Sequence, residues 1–193
     1  MVLASSELQK IASDVATGLN AYNIQGASLD LSIGESAKIQ TSTKLINLLE
    51  DDALDDIYEE VDLTKGFVLH PGQYLYASTI EKVRIPMDCC GILLPRSSFA
   101  RIGMILPMSM YANPGYEGNL PIVIFNASPA PVMIPPYYRV MQLLLLRLEG
   151  TARGYHEQVD AKYYKENSHI DPSFQDVELG KIIEKLSHGK KQA

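Results

Sequence analysis

Four side chains within six positions, Arg96, Ser97, Ser98 and Arg101 of PRSSFARIG, bring two guanidiniums and two hydroxyls into one short turn. A guanidinium presents a planar fork of donors and each hydroxyl adds another, so the segment suits a polyanion such as a phosphate chain. The whole chain carries a formal net charge of −6, so overall basicity does not account for the cluster. Its competing reading is a surface turn whose arginines pair with some of the 23 acidic residues. A second stretch, YANPGYEGNLPIVIFN, begins with Asn113-Pro114-Gly115, a strong turn signal that continues through Tyr116 and Gly118 into a strand. That pattern predicts a hairpin. It either closes over a small planar ligand, with its backbone reading the ligand's edge, or is a plain connection.

The elements that must hold these residues are short and β-rich. From about Gly26 to Glu149 apolar runs alternate with Gly, Pro and Asn: SLDLSIG, FVLHPGQYLYAST, KVRIP, GILLP, LPIVIFN, PVMIP and RVMQLLLLRLE. Most of the 11 prolines stand at the edges of these runs, where a missing amide donor does least harm. The pattern predicts a mainly β fold, an antiparallel barrel or jelly roll, with short helices at both ends. The first helix is expected near residues 5–17, capped by Ser5 or Ser6, with Leu8, Ile11, Ala12 and Val15 at helical spacing. The last is expected after Phe174, with Leu179, Ile182, Ile183 and Leu186 forming one stripe. Between Glu50 and Asp62 eight acids predict a solvated, helical insertion; they lack calcium-loop spacing. At 193 residues a single domain over 1–193 is expected, with a β core over about 26–150 and a tail over 151–193.

Composition narrows the partners. An acidic balance argues against a nucleic-acid groove, and no apolar run reaches the length of a membrane span. Cys89 and Cys90 are adjacent and build neither a disulfide framework nor a zinc knuckle, which points to a reducing cytoplasm. His70, His156, His169 and His188 are scattered, and the H-x-E and P-C-x-x-C signature of zinc deaminases is absent, so no zinc is expected.

SLDLSIG, FVLHPGQYLYASTIEKVRIP, PRSSFARIGM, NPGYEGNLPIVIFN, RVMQLLLLRLEG and VDAKYYKENSHIDPS occur in the order of the dCTP deaminase and dUTPase superfamily, which the chain resembles from about Gly26 to Ser173. The resemblance implies a dUTPase-like β-barrel, a homotrimer with nucleotide sites between subunits, and Mg²⁺ bound only through the triphosphate. It assigns Arg96, Ser97 and Ser98 to phosphate oxygens and Arg101 to the neighbourhood of the reacting base, with Asn113 and Tyr116 at the hairpin. Tyr155, Lys162 and Glu166 would lie in the segment that covers the triphosphate. Glu166 stands where the deaminases usually carry a glutamine, and Ser32 where they usually carry an arginine.

The same resemblance exposes two departures. The glutamate with which the deaminases shuttle protons is replaced by Val123, and the aspartate with which the dUTPases ready a water is replaced by Asn113. An amide orients a water but cannot take its proton at neutral pH, and a lost general base costs about 10²–10⁴-fold in rate. Of the remaining acids, Glu117 reads as a solvent-facing hairpin charge, Asp30 as structural or metal-water linked, and Asp88 as a turn residue. Three functions follow from the resemblance: deamination of dCTP to dUTP and ammonia, with Ser97 and Arg101 as candidate catalytic groups that polarise and position the reactants; hydrolysis of dUTP to its monophosphate and pyrophosphate, with Asn113 as the candidate catalytic group in place of the aspartate; and binding of dCTP, dUTP or dTTP without turnover.

Overall fold

A computed structural model describes residues 1–47, 57–158, 161, 163–165, 180 and 182. The chain opens with helix α1 (Ser5–Val15), whose buried Leu8, Ala12 and Val15 recur at helical spacing and seat it on the β core. Ala4, not a serine, occupies the N-cap position and makes no side-chain cap bond, so the expected Ser5 or Ser6 cap is not used. The helix stops at Val15, two residues short of the expected end, because Ala16 turns to extended backbone and bridges Val83.

Ten strands follow: β1 (Leu29–Gln40), β2 (Tyr58–Asp62), β3 (Phe67–Leu69), β4 (Tyr74–Arg84), β5 (Cys89–Pro95), β6 (Met104–Ile105), β7 (Tyr111–Ala112), β8 (Glu117–Asn126), β9 (Val132–Ile134) and β10 (Arg139–Arg147). A short helix α2 (Ser97–Arg101) separates β5 from β6. All the strand pairs are antiparallel, and the main sheet runs β6-β8-β4-β1-β10-β5-β7, with β2 also on β1 and β3 paired with β9. The expected mainly β, antiparallel architecture is what the chain forms.

The long strand β1 is the pivot of the curl. Its first half pairs with β10, from Leu29↔Leu143 to Ser32↔Arg139; its second half pairs with β2 on one edge and β4 on the other. Register breaks after Leu31 and between Ile33 and Ala37 let one strand serve two stretches of sheet, as bulges do in barrels. Leu29, Leu31 and Ile33 are fully buried beside Leu75, Ile122, Ile124, Leu143 and Leu145, which fill the interior. In β8 the pleat is regular: Leu120, Ile122 and Ile124 face the core while Asn119, Val123 and Phe125 face outward.

Two further sequence expectations are corrected. Tyr58–Asp62, the end of the acidic segment, is strand and not helix, because Gln40 to Ser36 offer it a complete ladder. Residues 48–56 of that segment lie outside the described residues, as do Leu179, Ile183 and Leu186 of the expected last helix. Second, β7 and β8 do not form a hairpin: β7 pairs with β5 and β8 with β4 and β6, so the Asn113–Tyr116 turn joins two separate stretches of sheet.

Candidate functional site

The Arg-Ser-Ser segment is built where β5 ends. Pro95 closes the strand, and the Arg96 amide still donates to Val140 O at 3.0 Å, which holds the start of α2 against β10. Phe99 buries its ring beside Tyr138, with centroids 5.7 Å apart, and that contact turns the rest of α2 outward. Ser97, Ser98 and Arg101 are consequently exposed, and their side chains make no hydrogen bond or ion pair among the described residues. Arg96 is different. Its Nε lies 3.3 Å from Asp30 Oδ2 and its Nη1 donates to Arg139 O at 3.2 Å.

Asp30 is the buried charge at this end of the barrel, 1% exposed. Arg139 also reaches its Oδ2, at 3.1 Å, while Gln142 Nε2 donates to its Oδ1 at 3.2 Å. Asn23 Nδ2 donates to the Asp30 carbonyl at 2.8 Å. Sequence reasoning missed Arg139 and Gln142. They are three positions apart in one strand, which in a regular strand puts them on opposite faces. The register slip that pairs Leu31 with Met141 and Ser32 with Arg139 skips Val140 and brings both onto the Asp30 face. The only signal was two polar residues inside the apolar run RVMQLLLL.

The second expected group lies elsewhere. Gly115 in the Asn113–Tyr116 turn has φ +72°, the left-handed region that suits glycine after proline. A Cβ there would meet Met87 Sδ at 2.8 Å. The Tyr116 amide donates to Asn113 O at 3.1 Å. Tyr116 is buried, its hydroxyl donating to Asn119 O at 2.8 Å and its ring 5.9 Å from Tyr155. Tyr155 docks on the same turn through its amide, 2.8 Å from Pro114 O. Lys162 and Glu166 lie outside the described residues.

The ladder fixes how far apart the two groups are. Tyr111 and Ala112 pair with Ile92 and Gly91 near the start of β5, whereas α2 leaves its far end. The five residue steps from Gly91 to Arg96 span roughly 16 Å. A single chain therefore brings Arg96, Ser97, Ser98 and Arg101 together but holds Asn113, Tyr116 and Tyr155 apart from them.

Val123 sits in a third place. It pairs with Tyr76 on the outer face of β4 and β8, in a row of rings: Tyr58 to Tyr76 5.1 Å, Tyr76 to Tyr74 6.1 Å and Tyr74 to Phe125 4.5 Å. Burial, with Tyr58 close by, pushes the Tyr76 phenol up to about 12. The other acids are committed. Glu117 lies 3.4 Å from Lys82 Nζ and 3.1 Å from Arg84 Nη2. Its partial burial would raise its carboxyl, but the two cations outweigh that and leave it below the usual glutamate range. Asp88 pairs with Arg147. Glu81, buried in β4, accepts the Ser32 amide at 2.9 Å, and burial raises its carboxyl. Cys89 is buried and its thiol is pushed up to about 11, chiefly by burial and then by Asp88, so it is packing and not a nucleophile. Among the described residues no group of three or more His, Cys, Asp or Glu is placed to hold a metal ion.

Comparison with known proteins agrees with this framework. The model of the dCTP deaminase-like family matches residues 2–148. The chain belongs to the dCTP deaminase-like family. Among its relatives, the Nanoarchaeum equitans protein named dCTP deaminase, dUMP-forming, is 32% identical over 160 residues, 74% of this chain and 80% of that one. The Halorubrum lacusprofundi dCTP deaminase is 34% identical over 146 residues, 72% of each chain. The crystal structure of 2'-deoxycytidine 5'-triphosphate deaminase from Agrobacterium tumefaciens shares the fold, with TM-score 0.62 and 24% identity over 75% of this chain and 48% of that longer one. The chain carries Ser97, Ser98 and Arg101 on an outward-facing helix, Arg96 at its N-cap and valine at position 123.

Proposed function

We propose that the protein binds a pyrimidine deoxynucleoside triphosphate, with Arg96, Ser97, Ser98 and Arg101 on the phosphates and the adjoining base, and deamination of dCTP to dUTP and ammonia as the reaction. The observation that carries this reading is α2: two hydroxyls and a guanidinium turned to solvent beside Arg96, in a member of the dCTP deaminase-like family. Arginine forks and hydroxyls are the donors a triphosphate needs. Support for Mg²⁺ riding on the ligand, and not on the protein, comes from Asp30, whose oxygens already accept from Arg139 and Gln142 and pair with the Arg96 guanidinium. The ion would screen charge on the triphosphate.

The roughly 16 Å between α2 and the Asn113 turn along β5 supports a site completed by another copy, hence the homotrimer. The exposed Ile102, Ile105, Met110 and Tyr111 around α2, β6 and β7 supply apolar surface for such a contact. Sedimentation analysis should give three chains per particle. Mixing an Arg101→Gln variant with an Asn113→Ala variant should restore some sites that neither possesses alone.

A second reading, binding without turnover, is favoured by Val123. An aliphatic side chain among four aromatic rings offers no group to move a proton. Calorimetric titration with dCTP, dUTP and dTTP in Mg²⁺ tests the shared claim, and silence with all three sinks it. Ammonia release from dCTP supports the deaminase, pyrophosphate release from dUTP a diphosphatase, and binding without either product the non-catalytic reading. Placement in a reducing cytoplasm goes with any of these; no helix among the described residues is long and apolar enough to cross a membrane.

A further inference from the structure

The Asp30 carboxylate holds two guanidiniums, and only Arg96 belongs to the segment that reads as a phosphate cradle. We infer that Arg139 is a further anion-binding side chain of that site, and that Asp30 positions it. The inference rests on the phosphate reading of Arg96 to Arg101.

Geometry comes first. Arg96 Nε and Arg139 Nη1 share one oxygen, Asp30 Oδ2, at 3.3 and 3.1 Å, so the two nitrogens can be separated by no more than the sum of those distances. That spacing suits neighbouring phosphoryl groups of one chain. The Arg96 bonds to Arg139 O and Val140 O then tie the start of α2, with its two serines, to the same end of β10.

Charge points the same way. One carboxylate neutralises one guanidinium, and neither arginine has another ion-pair partner among the described residues. Gln142 already serves the second Asp30 oxygen. A net positive charge is therefore left in a half-buried place, where it is costly unless an anion meets it.

Donor capacity completes the case. Of its five N–H groups, Arg96 donates one to Arg139 O and holds Nε 3.3 Å from Asp30 Oδ2 as an ion pair, which leaves the other three. Arg139 spends two from Nη1, on Asp30 and on Tyr22 O, and likewise keeps three. The side chains are 27% and 34% exposed, so those donors can be reached by a ligand while the carboxylate beneath fixes their orientation. A merely structural Arg139 has no use for the surplus.

The test is calorimetric titration of wild type, Arg96→Gln, Arg139→Gln and Arg139→Lys with inorganic tripolyphosphate and with dCTP at several KCl concentrations. Arg139→Gln should weaken tripolyphosphate binding at least about 10-fold and flatten its salt dependence, because one cation has left the site. Arg139→Lys, which keeps the charge but not the fork, should fall between. Wild-type affinity and salt dependence in Arg139→Gln, with binding lost in Arg96→Gln, would overturn the inference and leave the nucleotide reading standing. If Arg139→Gln does not fold, wild-type affinity and salt dependence in Arg139→Lys overturn it equally. Tripolyphosphate bound by the wild type with no nucleotide bound would sink the nucleotide reading alone; neither ligand bound would sink both.

Discussion

Replacing Asp30 with asparagine preserves shape and removes the charge on which two arginines converge. Both Asp30 oxygens are acceptors, Oδ1 for Gln142 and Oδ2 for Arg139, with the Arg96 guanidinium ion-paired to Oδ2, so an amide NH₂ on either side sets donor against donor. Removing one partner of a buried ion pair costs about 3–5 kcal/mol. Here the arginines are 27% and 34% exposed and can regain water, which brings the expected loss to roughly 2–3 kcal/mol. For a chain of this size each kcal/mol lowers Tm by about 2–4 °C, so Asp30→Asn should melt roughly 4–12 °C below wild type. Circular dichroism on heating, with urea titration as a second probe, measures it. Arg139→Gln should cost less in the Asp30→Asn background than in wild type, with a coupling of about 1 kcal/mol. A loss of under about 2 °C, or strict additivity, would refute the idea that Asp30 organises this end of the barrel.

Other outcomes follow from single contacts. Glu117→Gln should destabilise by less than about 1 kcal/mol, since the Lys82 and Arg84 pairs are near the surface. Because the folded carboxyl titrates below its ordinary range, that contribution is present at neutral pH and vanishes as pH falls through the folded value, so the two urea midpoints should converge in acid. With its thiol pushed up to about 11, Cys89 should not react with a disulfide reagent at pH 8 until urea unfolds the chain; prompt reaction of both thiols would contradict its burial. Gly115→Ala should cost about 1–2 kcal/mol in thermal unfolding, from the positive φ and the Met87 contact.

How much was legible follows from which interactions are local. The longer strands were readable because each carries its own apolar run and its own turn residues, and the RSSFAR cluster because residue types alone declare it; β2, inside the acidic segment, has no such run and was not. The short helix through Ser97–Arg101 was not, since five residues carry no period and its ring contact, Phe99 on Tyr138, depends on a distant strand. Arg139 was hidden for a related reason: only the slip at Val140 aims it at Asp30, and a slip is a property of two strands together. The Asn113 turn was read as a hairpin because its sequence is a good turn, yet turn chemistry does not say whether the flanking strands pair with each other. That was decided by β5 and β4, which had claimed those edges.

The divided pairing of β1 also has a consequence during synthesis. Gln40 to Ser36 meet β2 soon after both leave the ribosome, but Leu29 waits for Leu143, 114 residues later. At about 5–20 residues per second that delay is roughly 6–23 s. Through that interval Leu29 and Leu31 belong to a strand with one open edge, which makes this stretch the place where chaperone capture, or pairing with the wrong chain, would first be felt.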